Sequence, residues 1–101
     1  MKLGYDDETI VKGIKEDDLK ILLEVRQYVH WLVSLMVEED GSYDRRADVE
    51  HNSMYKIYTK VKKEDFILLI PFKLFVYIQV YYSRQEMWKR VNKYKKNIYI
   101  Y

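Results

Sequence analysis

The segment 66-FILLIPFKLFVYIQVYY-82 decides the fold class of this 101-residue chain, because so long an apolar run must be a membrane span, a pair of strands or a buried helix. As a helix its 17 residues would be about 25 Å long, whereas the hydrocarbon core of a bilayer is about 30 Å thick. Pro71, Lys73 and Gln79 also interrupt the run. We therefore do not expect a membrane span.

Two strands that meet near Pro71 are the preferred interpretation of this segment. The second half alternates, and it is rich in the β-branched and aromatic side chains that favour strands. One face would hold Leu74, Val76, Ile78, Val80 and Tyr82, and the other Phe75, Tyr77, Gln79 and Tyr81. Because both faces are apolar, the strand should be central or sandwiched. A helix over residues 66–82 is the alternative.

Upstream of this segment, residues 54–61 (MYKIYTKV) also alternate and predict a strand, followed by a turn at 62–65. The chain ends with 97-NIYIY-101, which predicts a short edge strand. Residues 1–14 are expected to be an irregular lead-in. Residues 41–53 are polar and predict a loop, with a turn of helix around Arg46 to Glu50.

A long amphipathic helix is predicted from Asp17 to Glu39, with Asp17 or Asp18 as its cap and Gly41 after its end. Its apolar stripe consists of Leu22, Val25, Val29, Leu32 and Met36. Trp31 and Leu35 lie on the opposite, polar side. We therefore expect a homodimer whose interface uses Tyr28, Trp31 and Leu35. The alternative is that a sheet of the same chain covers this face.

A second helix is predicted from Ser83 to Lys96, because Ser83 and Glu86 match a capping box. Its buried stripe would contain Met87, Trp88, Val91 and Tyr94. Residues 1–101 are thus expected to form a single α+β domain. One long helix packs on an antiparallel sheet of three to four strands, and a basic helix lies near the C-terminus.

Charge is divided unequally along the chain. Residues 1–50 hold 13 acidic and 7 basic side chains, whereas residues 51–101 hold 3 acidic and 11 basic ones. The two halves either attract each other within the fold or a dimer, or the second half faces a polyanion. Between Ser83 and Lys96 there are six basic side chains and one carboxylate.

The basic helix predicts contacts with nucleic acid. Gln85, Lys89, Asn92 and Lys96 would form one row of the residue types that contact base edges, with Lys93 beside it. Arg84, Arg90 and Lys95 would reach phosphates. The predicted strand and turn add a second basic cluster, which would equally protect an edge strand from aggregation: Lys56, Lys60, Lys62 and Lys63. Exposed tyrosines near this surface would stack on single strands: Tyr77, Tyr81, Tyr99 and Tyr101.

Catalytic signals are weak. The chain has no Cys, which excludes disulfides, thiolate zinc sites and cysteine nucleophiles, and its three Gly form no phosphate-binding loop. His30 is expected to be a partly buried structural residue. Carboxylates and an imidazole in the polar segment would suit a divalent metal, but in no recognised spacing: Asp44, Asp48, Glu50 and His51. We expect no metal, no cofactor and no enzymatic activity.

These observations predict a small non-catalytic nucleic-acid-binding or regulatory protein that uses the basic C-terminal helix. The alternative is a protein-interaction module, such as a small inhibitor or assembly factor, and a metal-dependent nuclease comes third. The acidic N-terminus, MKLGYDDETI, does not resemble a signal peptide, so a cytoplasmic location is expected.

Overall fold

The protein is all-helical in a computed structural model that describes the backbone of residues 2–40 and 46–100 and the side chains of residues 2–36 and 46–86. Its helices are α1 (Asp7–Lys15), α2 (Leu19–Asp40), α3 (Arg46–Val61) and α4 (Phe72–Ile100). The described backbone contains no strand. The predicted α+β fold with an antiparallel sheet is therefore wrong. Within the described residues, none of these helices has the length and hydropathy needed to cross a bilayer.

The strand predicted at residues 54–61 is the second half of α3. Val49, Ser53, Ile57 and Val61 are buried, and their spacing of four residues is that of one helix face. Tyr55, which alternation would pair with Ile57 on one face, is 64% exposed. The turn of helix predicted around Arg46 to Glu50 is confirmed as the start of α3, whereas the loop predicted at residues 51–53 is wrong because α3 continues through them. Residues 41–45 lie outside the described chain.

The two strands predicted at residues 66–82 are also wrong. Residues 66–70 are irregular, and α4 begins directly after Pro71. Phe72, Val76, Val80 and Ser83 are buried at helical spacing, which selects helix over strand for this apolar run. Because a helix satisfies its own backbone hydrogen bonds, a segment rich in β-branched and aromatic residues adopts it when neighbouring helices cover its apolar face.

Both termini differ from the prediction as well. The irregular lead-in contains α1, whose cap is Asp6: its Oδ1 accepts a hydrogen bond of 2.8 Å from the Thr9 N–H. At the other end α4 continues to Ile100, so the edge strand is wrong, and Tyr101 lies outside the described residues. The helix predicted from Ser83 to Lys96 is confirmed as part of α4, although Ser83 is inside the helix and does not cap it.

The long helix is confirmed as α2, within two residues of its predicted start. Asp18 caps it, since its Oδ1 accepts from the Lys20 N–H at 3.0 Å and from the Ile21 N–H at 3.4 Å. Asp17 has a left-handed backbone with φ of 57°, which turns the chain from α1 into α2. Asp is one of the few residues that adopt this region without glycine's freedom.

A glycine allows the close contact between α1 and α2. Gly13 is buried, and a Cβ added to it would lie 2.9 Å from both the Cβ and the Cγ2 of Ile21. The two helices therefore pack more closely than any side chain at this position would permit.

The core lies between the four helices. Large side chains from every helix are nearly fully buried: Ile10, Ile14, Val25, Val29, Val33, Ile57, Val61, Phe72, Val76 and Val80. α3 and α4 run antiparallel, because Lys60 of α3 contacts Gln79 of α4 while Lys56, one turn earlier, contacts Glu86. α1 also reaches the start of α4, where Asp7 Oδ2 accepts a hydrogen bond of 3.1 Å from the Phe72 N–H.

Candidate binding surfaces

A row of exposed side chains follows α4 on the side away from the core. Leu74, Tyr77 and Tyr81 are 46%, 46% and 41% exposed, and Gln85 continues the row one turn later. We call Tyr77, Tyr81 and Gln85, together with the adjacent Tyr82, the α4 tyrosine face. Tyr77 and Tyr81 were predicted to be exposed, but their common row with Gln85 was missed because alternation assigned them to a strand, whereas spacings of four residues place all three on one helix face.

The α4 tyrosine face is held by contacts of its own. The Gln85 Nε2 donates a hydrogen bond of 2.7 Å to the Tyr81 hydroxyl. The rings of Tyr81 and Tyr82 meet edge to face, with centroids 6.0 Å apart. Because one contact fixes the hydroxyl and the other fixes the ring, Tyr81 presents an aromatic surface with reduced freedom to rotate.

The residues predicted to bind nucleic acid fall into two groups on α4. Arg84 is partly exposed and Gln85 is exposed, with the hydrogen bond to Tyr81 already described. The remaining predicted residues of this helix belong to the helical backbone of α4, but their side chains lie outside the described ones: Lys89, Arg90, Asn92, Lys93 and Lys96. Of the tyrosines predicted to stack, Tyr77 and Tyr81 are exposed. The side chain of Tyr99 and the whole of Tyr101 lie outside the described part.

The four lysines predicted as one cluster point to different places. Lys56 Nζ lies 2.7 Å from Glu86 Oε1, and Lys60 Nζ donates at 2.9 Å to Gln79 Oε1, so both face α4. Lys62 instead faces the corner between α1 and α2, where its Nζ lies 2.6 Å from Asp17 Oδ2 and 2.9 Å from the Lys15 carbonyl. Lys63 is exposed just beyond the end of α3. Two of the four lysines are thus engaged by carboxylates of the same chain.

The single carboxylate of α4 is engaged by α3. Besides the contact with Lys56, Glu86 Oε2 accepts a hydrogen bond of 3.1 Å from Asn52 Nδ2. α4 carries seven basic residues and this one acidic residue. Because Glu86 is paired with Lys56 of α3, its negative charge offsets less of the positive charge of α4 than the sequence of the helix suggests.

The corner between α1 and α2 contains an ion pair that shifts the pKa values of both of its partners. Hydrogen bonds from Lys62 and then from Tyr58, whose hydroxyl lies 2.7 Å from Asp17 Oδ1, lower the pKa of Asp17 below its ordinary value of 3.8. The same hydrogen bond to Asp17 raises the pKa of Lys62. This contact joins the acidic first half of the chain to the basic second half.

A second exposed surface is a ridge along α2. Leu19, Leu23, Trp31 and Leu35 are 80%, 56%, 38% and 46% exposed, and with the exposed Gln27 they are spaced by four residues. We call these five residues the α2 ridge, which is about 24 Å long at 1.5 Å per residue. Sequence reasoning identified Trp31 and Leu35 but missed Leu19 and Leu23, which continue the same spacing.

Tyr28 is placed differently from the other predicted interface residues. It is only 6% exposed, and burial raises its pKa. Its ring lies 5.8 Å from that of Trp31 and 5.9 Å from Lys73 Nζ of α4. Tyr28 thus supports Trp31 from within the chain, while Trp31 and Leu35 remain available at the surface.

His30 of α2 and Glu50 of α3 meet in a groove between the two helices. His30 is an exposed residue, contrary to the prediction of partial burial, and its Nδ1 lies 2.7 Å from Glu50 Oε2. Arg26 Nε lies 3.7 Å from the other oxygen of Glu50. The groove has a volume of about 460 Å³ and borders the α2 ridge at Leu23, Gln27 and Trp31.

A metal site at Asp48, Glu50 and His51 finds no support in this groove. Among the described residues, no three His, Asp or Glu side chains come close enough together to hold a metal ion. Asp44, the fourth residue considered, lies outside the described chain. Glu50 is instead occupied by Arg26 and His30.

Comparison of the chain with protein-family models, curated proteins and solved structures found no significant match.

Proposed function

We propose that the protein is a small non-catalytic nucleic-acid-binding protein that uses α4 as its binding element. The observation that supports this proposal is the continuity of α4 from Phe72 to Ile100, which joins the α4 tyrosine face to the basic segment at 84–96 on one helix. Gln85, Lys89, Asn92 and Lys96 follow one another at helical spacing along it. A cytoplasmic location and the absence of a cofactor belong to the same proposal.

The revised surface differs from the predicted one in its lysines. Lys60 and Lys56 contact Gln79 and Glu86 on the side of α4 that faces α3, whereas Lys62 is engaged by Asp17 at the far corner. Charge on α4 itself, with seven basic residues and one acidic one, is then the main source of attraction for phosphates.

The test is a titration of labelled nucleic acid at several salt concentrations. Each phosphate contact that displaces a counterion steepens the fall of log affinity with log salt by about 0.9 for duplex DNA and about 0.7 for single strands. Changing both Lys89 and Lys96 to Gln should reduce the slope by about 1.4 to 1.8. The matched control changes Lys12 and Lys20, exposed lysines of α1 and α2, to Gln. Absence of binding at about 50 mM salt contradicts the proposal.

A second candidate function is protein interaction through the α2 ridge, with a second copy of the chain as the partner. The ridge supports it because four large apolar side chains are exposed at a spacing of four residues, the spacing that interdigitates in the commonest helix packing. Gln27 lies at its centre, with two apolar residues on each side. Two copies related by a two-fold axis near Gln27 would match apolar side chains with apolar side chains.

The measurement for this candidate is the molecular mass in solution across a range of concentrations. Leu23→Glu should shift a dimer to monomer, because it replaces an apolar side chain of the ridge by a charged one. Ile67→Glu is the matched control, since Ile67 is 74% exposed and lies in the irregular segment before α4. If the wild-type protein is monomeric at high concentration, the proposed self-association is wrong. Equal effects of the two variants would mean that the ridge is not the interface.

A further inference from the structure

We infer that the α4 tyrosine face is a stacking platform for unpaired bases, so that the polyanion bound by α4 is a single strand and not a duplex. This inference rests on the proposed nucleic-acid function and names its substrate class. It is carried by the exposure of Tyr77 and Tyr81 on the same row of α4 that continues into the basic segment.

The geometry of the row suits a single strand. Residues four apart on a helix have Cβ atoms about 6 Å apart, so Tyr77 and Tyr81 offer two adjacent rings along one direction. From Tyr77 to Lys96 the row extends about 28 Å, enough for several nucleotides of an extended strand. Bases would stack on the tyrosine rings while phosphates follow toward Lys89 and Lys96.

The restraint on Tyr81 favours stacking over accidental exposure. Its hydroxyl accepts from Gln85 and its ring meets that of Tyr82 edge to face, so two contacts restrain the ring without any ligand. A base that stacks on an ordered ring loses less affinity to side-chain ordering than one that meets a freely rotating ring. An extended helix face with protruding rings also fits poorly against paired bases, whose faces are covered by their neighbours in the stack.

Charge selects nucleic acid over an apolar protein segment as the occupant of this face. The row has an apolar residue only at its start, Leu74, and beyond Gln85 it continues with Lys89, Asn92 and Lys96, within a segment that holds six basic residues and one carboxylate between Ser83 and Lys96. Aromatic rings next to clustered cations are the combination that binds single strands with little sequence preference.

The experiment measures the anisotropy of a fluorescein-labelled oligothymidine of about 15 nucleotides and of a duplex of the same length. The variants are Tyr77→Leu, Tyr81→Leu and the double change, which keep apolar bulk and helix propensity but remove the rings. Each single change is expected to weaken binding of the single strand about 5- to 150-fold, the fold-change that corresponds to one lost base stack. Duplex affinity should change by less than about twofold.

Two controls separate stacking from loss of structure. Tyr55→Leu removes a tyrosine that is 64% exposed on α3 and should leave single-strand affinity unchanged. Tyr81→Phe keeps the ring, loses the hydrogen bond with Gln85, and should retain most of the affinity. Far-UV circular dichroism establishes that each variant is folded. If the double variant does not fold, the affinities of the two single variants provide the test.

The outcomes distinguish this inference from the proposed function. Equal binding of both nucleic acids with no effect of the tyrosine variants overturns the stacking platform but leaves nucleic-acid binding by α4 intact. Equal losses for the single strand and the duplex also overturn it, because rings that stack on bases should not matter to a duplex. Absence of binding to either nucleic acid at about 50 mM salt overturns both.

Discussion

Gly13→Ala tests the close contact between α1 and α2. The new Cβ would lie 2.9 Å from the Ile21 Cβ, an atom whose position is set by the backbone of α2. Ile21 is 5% exposed and cannot turn out of the way toward solvent. The contact can be relieved only if α1 and α2 move apart, which would disturb the packing of Ile10 and Ile14 against the core.

The expected magnitude combines two opposing effects. Forcing an extra methyl group into a close-packed contact costs about 1 to 3 kcal/mol, and the fixed position of the Ile21 Cβ favours the upper part of that range. Replacing Gly by Ala inside a helix stabilises the helix by about 1 kcal/mol. The free energy of unfolding should therefore fall by about 1 to 2 kcal/mol, which lowers Tm by roughly 4 to 16 °C for a chain of this size.

The assay is denaturant unfolding followed by far-UV circular dichroism, with Gly4→Ala as the matched control. A Cβ at Gly4 would also meet an atom at 2.9 Å, but that atom is Glu24 Oε1, at the end of a flexible side chain. The control should therefore change stability much less. If Gly13→Ala raises stability by the full helix-propensity gain, the close packing of α1 on α2 is refuted.

Three further predictions concern single polar groups. Ser83 is fully buried and its Oγ has no hydrogen-bond partner among the described residues, so Ser83→Ala should raise the free energy of unfolding by about 1 kcal/mol. Ser53→Ala should gain less, because the Ser53 hydroxyl donates to the Val49 carbonyl at 2.6 Å; equal gains would contradict this reasoning. Asp7→Ala should lower the free energy of unfolding by about 1 kcal/mol by removing the cap of α4, whereas Asp7→Asn should retain most of it. The folded pKa of Asp17 is lowered, so its stabilising contribution is present above pH 3.8 and is lost as pH falls toward the folded value. Denaturation midpoints of wild type and Asp17→Asn, measured across this range, should therefore converge at low pH, and a constant difference would argue against the Lys62 contact.

Part of the candidate site could be predicted from the sequence because helical spacing is a local property. Lys89, Asn92 and Lys96 follow Gln85 in one row of a helix whose backbone is confirmed. The relation of Tyr77 and Tyr81 to that row was missed, since it required α4 to begin before Ser83. The separation of Lys62 from Lys56 and Lys60 also could not be predicted, because it depends on where the α1–α2 corner packs.

The sequence by itself determined α2, the helical state of residues 83–96 and the uneven charge along the chain. α2 was predictable because its cap at Asp18 and its apolar stripe are local signals that agree with each other. Charge is a property of composition and needs no structure to be counted.

Only the tertiary structure decided that residues 54–61 and 72–82 are helical. In both segments the apolar residues are dense enough to satisfy a spacing of two and a spacing of four at once, and their β-branched and aromatic content favoured strands. The antiparallel packing of α3 on α4 buries Ile57, Val61, Val76 and Val80 on facing helices. Because that burial depends on residues distant in the chain, it overrides the local preference for strands, and the local pattern alone could not choose between the two spacings.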